Sequence, residues 1–161
     1  MTRVHNFSAG PAALPLPVLQ QMQAELLNFK GTGMSVMEMS HRGAVFTDVL
    51  NRARDAMRRL LNVPANYQIL FMQGGAIGAN AIIPMNLLGG ARTVSDHVIS
   101  GAWSIKTQKE ALKYGSSNIV ANADDGAGRF TYFPEPATWQ LSDNSAYIAV
   151  CTNETIHGVE W

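Results

Sequence analysis

Four short stretches carry residue types that can do chemistry. QGGAIGAN, residues 73–80, follows an apolar run and opens a segment with helical periodicity. Small residues at such a junction let backbone N–H groups approach an anion, and the helix dipole is positive at that end. The spacing of Gly74, Gly75 and Gly78 matches neither GxGxxG nor a P-loop, so a plain tight turn accounts for it equally well. SHRG, residues 40–43, places His41 beside Arg42 at a loop-to-helix boundary. An arginine there grips a carboxylate or phosphate through paired hydrogen bonds, or is simply solvated.

Trp103 follows Gly101 and Ala102 where a strand gives way to a helix. Its indole can stack on a planar ring, although a core tryptophan is the ordinary reading. TNETIHG, residues 152–158, is polar directly after an apolar run. A threonine hydroxyl there can bond a ligand oxygen, and turn chemistry suits the same residues. His5, His41, His97 and His157 are scattered without metal-ligand spacing, so no metal site is expected. Cys151 is the only cysteine and reads as a small core residue.

The elements that must position these residues follow from periodicity. Apolar residues at Val18, Leu19, Met22, Leu26 and Leu27 predict a helix to Phe29, with Pro17 in its first turn and Lys30, Gly31 and Gly33 as its stop. A second helix is predicted from about Ala44 to Leu61, with Arg52, Asp55 and Arg58 facing water. QILFM, residues 68–72, reads as a short strand buried on both faces. A helix follows to near Gly89, kinked or shortened by Pro84. TVSDHVISG reads as a strand and WSIKTQKEALKYG as a helix, with Ala111 and Leu112 inward and Lys106, Glu110 and Lys113 outward. SSNIVANA is a third strand, residues 124–144 a loop with a short helix, and AYIAVCTNE a fourth strand. Alternating strands and helices predict an α/β fold, a mainly parallel sheet flanked by helices. Ligands bind such sheets at the carboxyl ends of the strands, where QGGAIG, SGAWS and TNETIHG fall.

Composition narrows the classes. Nearly half of the 161 residues are apolar, which argues against disorder. Twelve basic residues balance twelve acidic ones, leaving no electrostatic case for nucleic acid or an anionic membrane. No apolar run reaches the ~20 residues of a membrane span. The prolines in MTRVHNFSAGPAALPLP interrupt any secretory core. One cysteine forms no internal disulfide, so a cytoplasmic setting is expected.

Taken in order, FSAGPAALP, SVMEMSHRG, ILFMQGGAIGANAIIP, GAWS and CTNETIHG resemble the phosphoserine aminotransferase family, class V and fold type I, over nearly the whole chain. The resemblance implies an aspartate-aminotransferase-like fold and pyridoxal 5'-phosphate (PLP) as cofactor. It implies homodimers with active sites at the subunit interface. The implied reaction moves an amino group between glutamate and 3-phosphohydroxypyruvate, giving phosphoserine, in serine and also pyridoxine biosynthesis. Ala76 and Ile77 match the pair whose amides hold the PLP phosphate. Trp103 matches the aromatic stacked on the pyridine ring, and Thr155 the hydroxyl that bonds the cofactor. Arg42 matches a ligand for the substrate carboxylate or phosphate, with His41 beside it. On this resemblance, residues 1–15 form an extended arm and 16–161 an incomplete PLP-binding large domain.

Two departures stand out. Several relatives have Gly-Arg where this chain has Ala76-Ile77, so only a backbone contact to the phosphate is expected to survive. The family's Schiff-base lysine, and the aspartate that pairs with the pyridine nitrogen, find no match. The lysines here are Lys30, Lys106, Lys109 and Lys113, none expected to face the site. No catalytic residue is therefore assigned, and the chain is expected to be a part of a longer enzyme, inactive alone and prone to self-association. The alternatives are a non-catalytic phosphate- or PLP-binding or interaction module, or one half of a split enzyme.

Overall fold

A computed structural model describes residues 3–10 and 12–161. The chain falls into two compact units, Met1–Phe71 and Met72–Trp161. In the first, helix α1 spans Leu16–Glu25 and helix α2 spans Ala44–Leu60. Pro17 sits in the first turn of α1, where a missing N–H costs nothing. The helix stops short of Phe29, which belongs to a separate 3-10 turn, Phe29–Gly31. A second 3-10 turn, Val36–Glu38, is closed by a capping box. Met37 N–H donates to Ser35 Oγ at 3.3 Å and Ser35 N–H to Glu38 Oε2 at 2.8 Å. On α2 the half-buried face is Val49, Ala53 and Ala56, at helical spacing. Arg58, expected in water, instead closes the following turn. It donates to the carbonyls of Val63, Pro64 and Tyr67 at 3.2, 2.7 and 3.0 Å.

The expected strand at residues 68–72 is absent. Those residues are irregular, and Leu70, Phe71 and Met72 are exposed. A strand needs a ladder neighbour to satisfy its backbone, and among the described residues none pairs with this segment.

In the second unit, helix α3 covers Gly75–Leu87, strand β1 Val94–Ile99, helix α4 Ala102–Ala111 and strand β2 Ser116–Asn122. Strand β3 is only Ile148–Ala149. The three form a parallel sheet in the order β2-β1-β3, so β1 is central. Pro84 does not end α3. The helix runs one more turn, and Leu88 N–H still reaches Pro84 O at 2.9 Å. Of the fourth predicted strand only Ile148–Ala149 pairs with β1; farther on, Asn153–Glu154 (β4) and Val159–Glu160 (β5) form an antiparallel hairpin. Leu112, expected inward, lies just past α4 and is exposed, whereas Ala111 is buried.

Strand β1 is buried despite its polar composition. Asp96 is satisfied by Ser142 N–H at 2.9 Å, Ser142 Oγ–H at 2.8 Å and Asn118 Nδ2–H at 3.2 Å. His97 shares a 2.9 Å hydrogen bond with Ser95 Oγ, and burial lowers its pKa to about 4 against the opposing pull of Asp96. The apolar centre lies where the strand ends meet the hairpin: Ile99, Ala123, Phe130 and Val159, with Ile105 and Phe133 against them.

Candidate active site

Parallel strands place their carboxyl ends together, and β1 hands directly into α4 at Ser100 and Gly101. Beside that junction is a cavity of about 790 Å³. Its wall comes from α3, α4 and residues 147–155, and includes Ala76, Ile77, Trp103 and Thr155. All four cofactor-site residues predicted from the sequence therefore border one space. His41 and Arg42 are exposed in the turn before α2, within the other unit.

At the α3 end, Gly74 caps the helix in the left-handed region, φ 101°. A side chain there would be strained, and its Cβ would lie 3.2 Å from Gly78 Cα. Gly78 N–H closes the first helical bond, to Gly74 O at 2.9 Å. The amides of Gly75, Ala76 and Ile77 thus stand at the open, positive end of the helix. No acidic residue occupies that first turn, and the first turn carries no cation either.

Opposite chemistry comes from Trp103 and Thr155. The indole Nε1–H donates to Thr155 Oγ1 at 2.9 Å. A hydroxyl that accepts from an indole keeps its own proton to give to a ligand oxygen. The backbone of Trp103 is held as well, its N–H donating to Glu154 Oε2 at 2.8 Å and its carbonyl accepting from Thr107 Oγ1 at 3.0 Å.

Lys106, assigned outward from the sequence, borders the cavity and is the one charged residue in its described wall. It lies three residues after Trp103, hence on the same helix face, and its Nζ is 4.3 Å from the indole centroid. Cys151, read as a core residue, is a half-buried wall residue. Burial, with a smaller push from Glu154, raises its thiol pKa, so it is a neutral lining group at pH 7. Tyr147 also lines the space, and desolvation raises its pKa. Lys106 is exposed, as its charge suggested, and only its spacing from Trp103 signalled that it would also line the cavity. Among the described residues no group of three His, Cys, Asp or Glu can hold a metal. No helix there is long and apolar enough to cross a membrane.

Comparison with known proteins follows the same lines. The model of the family "Aminotransferase class-V" matches residues 4–161. Phosphoserine aminotransferase of Ralstonia nicotianae is 53% identical over 165 residues, covering 99% of this chain and 42% of the relative. That of Burkholderia ambifaria is 55% identical over 158 residues, covering 98% and 43%. The solved phosphoserine aminotransferase of Bacillus circulans subsp. alkalophilus aligns with TM-score 0.87 and 44% identity, over 95% of this chain and 42% of that one. The PLP-bound phosphoserine aminotransferase of Trichomonas vaginalis aligns with TM-score 0.89 and 39% identity, over 99% and 44%. The chain thus spans about two fifths of the length of the relatives it matches. By family match, by fold and by the residues at its strand ends, the chain belongs to the class-V aminotransferases.

Proposed function

We propose that this chain holds PLP in the cavity between α3, α4 and residues 147–155, and that the whole enzyme is a phosphoserine aminotransferase. One observation carries the reading: an open helix N-terminus, an indole and a hydroxyl line the same cavity. Its volume falls within the ~300–1,000 Å³ typical of small-molecule sites. The donor set suits a phosphorylated pyridine: amides of Ala76 and Ile77 for the phosphate, Trp103 for the ring face, Thr155 for a polar substituent. PLP, when bound, supplies an electron sink for a carbanion. The residues of this chain bind it and fix its plane. Lys106 adds a positive charge to the cavity wall, partly offsetting the absence of arginine at position 77.

The proposed substrates are glutamate and 3-phosphohydroxypyruvate, giving phosphoserine for serine, and also pyridoxine, biosynthesis. Both are anionic, so Arg42, with His41 beside it, is assigned to a substrate carboxylate or phosphate. A homodimer and a cytoplasmic location complete the reading, the latter supported by a single unpaired cysteine. Residues 1–15 are assigned to an arm, in keeping with the lack of helix or strand at 3–10 and 12–15, and 16–161 to part of the PLP-binding domain.

These residues are expected to bind without transaminating. Of the four lysines, Lys30 pairs with Asp48 at 3.3 Å, Lys113 pairs with Glu110, Lys109 is exposed outside the cavity wall, and Lys106 rests on the Trp103 ring. A binding module, or one partner of a split enzyme, is the second reading this favours. Titration with PLP, followed by Trp fluorescence and visible absorbance, tests the cofactor site. Saturable quenching that disappears in Trp103→Ala supports it, and no saturable binding sinks it. Borohydride reduction and peptide mapping test the rest, since a pyridoxyl adduct on one lysine together with turnover would refute the non-catalytic assignment.

A further inference from the structure

The side chain of Glu154 is unused by the reading above, yet it is fully buried, 0% exposed. No cation lies among its hydrogen-bond partners. Oε2 accepts from Trp103 N–H at 2.8 Å and Oε1 from Ser104 N–H at 2.7 Å. Both amides belong to the first turn of α4, so each oxygen meets a donor at the positive end of the helix. The fit is close. A Cβ on Gly101 would stand 2.5–2.7 Å from Glu154 Cδ, Oε2 and Cγ, so only glycine leaves the carboxylate its place.

The backbone of Glu154 is equally tied. Its carbonyl accepts from His157 N–H at 3.1 Å and Gly158 N–H at 2.8 Å, closing the β4–β5 turn. Its pairing partner on β5 is Val159, which is anchored in the apolar core. One residue therefore bolts the hairpin that carries Thr155 to the helix that carries Trp103. The Trp103–Thr155 bond is what that bolt holds closed.

We propose that Glu154 is a positioning residue: its two-pronged carboxylate sets the indole against the Thr155 hydroxyl and so fixes the plane offered to the cofactor ring. The inference rests on the cavity being the PLP site. Glutamine cannot replace it, because an amide presents one acceptor and one donor to two N–H groups, leaving one unpaired.

The test uses the ¹⁵N-labelled chain with Glu154→Gln and, as an independent perturbation that keeps the carboxylate, Gly101→Ala. Trp103, Trp139 and Trp161 give three indole N–H resonances; Trp103→Phe assigns one of them, and Thr155→Val marks its position when the bond is lost. Both test variants are expected to move the Trp103 indole resonance toward the Thr155→Val position. The Trp139 indole, bonded to Pro134 O at 3.1 Å, should stay put. PLP affinity, titrated by absorbance, should fall several-fold, short of the loss expected when the Trp103 ring is removed altogether. An indole resonance unchanged in either folded variant would overturn the proposal. Failure of both variants to fold would also overturn it, making the carboxylate a determinant of folding alone. If the resonance moves but the unsubstituted chain binds no PLP, the link stands and the cofactor reading falls.

Discussion

At the scale of single residues, the cavity works by assigning each atom one job. The Trp103 indole spends its only donor on Thr155, so its edge cannot rotate away, and Lys106 Nζ sits over one face of the ring, 4.3 Å from the centroid, leaving the other for stacking. Trp103→Phe keeps a plate without the bond, while Trp103→Ala removes both. Loss of an aromatic contact of ~0.5–1.5 kcal/mol predicts PLP binding several-fold to about tenfold weaker in the alanine variant, with phenylalanine between, measured by titration. His97 gives a second prediction, about stability. Its folded pKa of about 4 lies below the usual 6.5, so protonation favours the unfolded chain. Above pH 6.5 the imidazole is neutral in both states and costs nothing. Between about 6.5 and 4 the unfolded chain takes up the proton first, and stability falls by up to ~3 kcal/mol on the scale of 1.36 per pKa unit. Urea unfolding across that range should show the loss, and His97→Gln should flatten it.

At the scale of elements, α3 matters through its amino end and not its side chains. Proline is tolerated in a helix's first turn because the N–H there makes no helical bond. Ala76→Pro therefore deletes one proposed phosphate donor at little cost to the helix. A hydrogen bond to a charged group is worth ~1.5–3 kcal/mol, so PLP affinity should drop tenfold or more while helical circular dichroism is unchanged. Equal binding would show that the Ala76 amide is no ligand. Ile77→Arg should act oppositely, tightening PLP several-fold at low salt and losing that gain as salt rises. The sequence made these elements legible because a 3.6-residue period and glycine punctuation are local signals. Helix α2, the β1-α4-β2 crossover and the glycine cap at Gly74 all follow from them. What stayed hidden depends on partners distant in sequence. Residues 68–72 have a strand's composition but no partner strand among the described residues. Glu154 looked like turn polarity because its two amide partners lie some fifty positions earlier, at Trp103 and Ser104. TVSDHVISG read as a strand, but the burial of Ser95, Asp96 and His97 did not show in their polar letters, since Ser142 and Asn118, which satisfy Asp96, come from other segments.

At the scale of the molecule, the apolar surface is large for so short a chain. Leu70, Phe71 and Met72 are 70%, 53% and 61% exposed, and Val18, Met22 and Leu26 on and just after α1 also face solvent. The sheet adds to this, because β2 and β3 are both edges and β3 offers only two residues of ladder. Apolar patches and open edges of this kind are what folded chains ordinarily cover with another surface. The described residues that line the cavity all fall within 72–161, so cofactor binding and association are expected to respond separately to substitution. The chain in isolation is therefore expected to associate. Light scattering should give a molar mass above that of one 161-residue chain, and the midpoint of thermal unfolding should rise with protein concentration. Leu70→Ser with Phe71→Ser removes the most exposed pair of neighbours from that run without touching the cavity wall. The double variant should shift the mass toward the monomer and leave the PLP titration as it was. A monomeric parent chain with a sharp, reversible and concentration-independent transition would count against association, and loss of PLP binding in the double variant would show that the two properties are coupled after all.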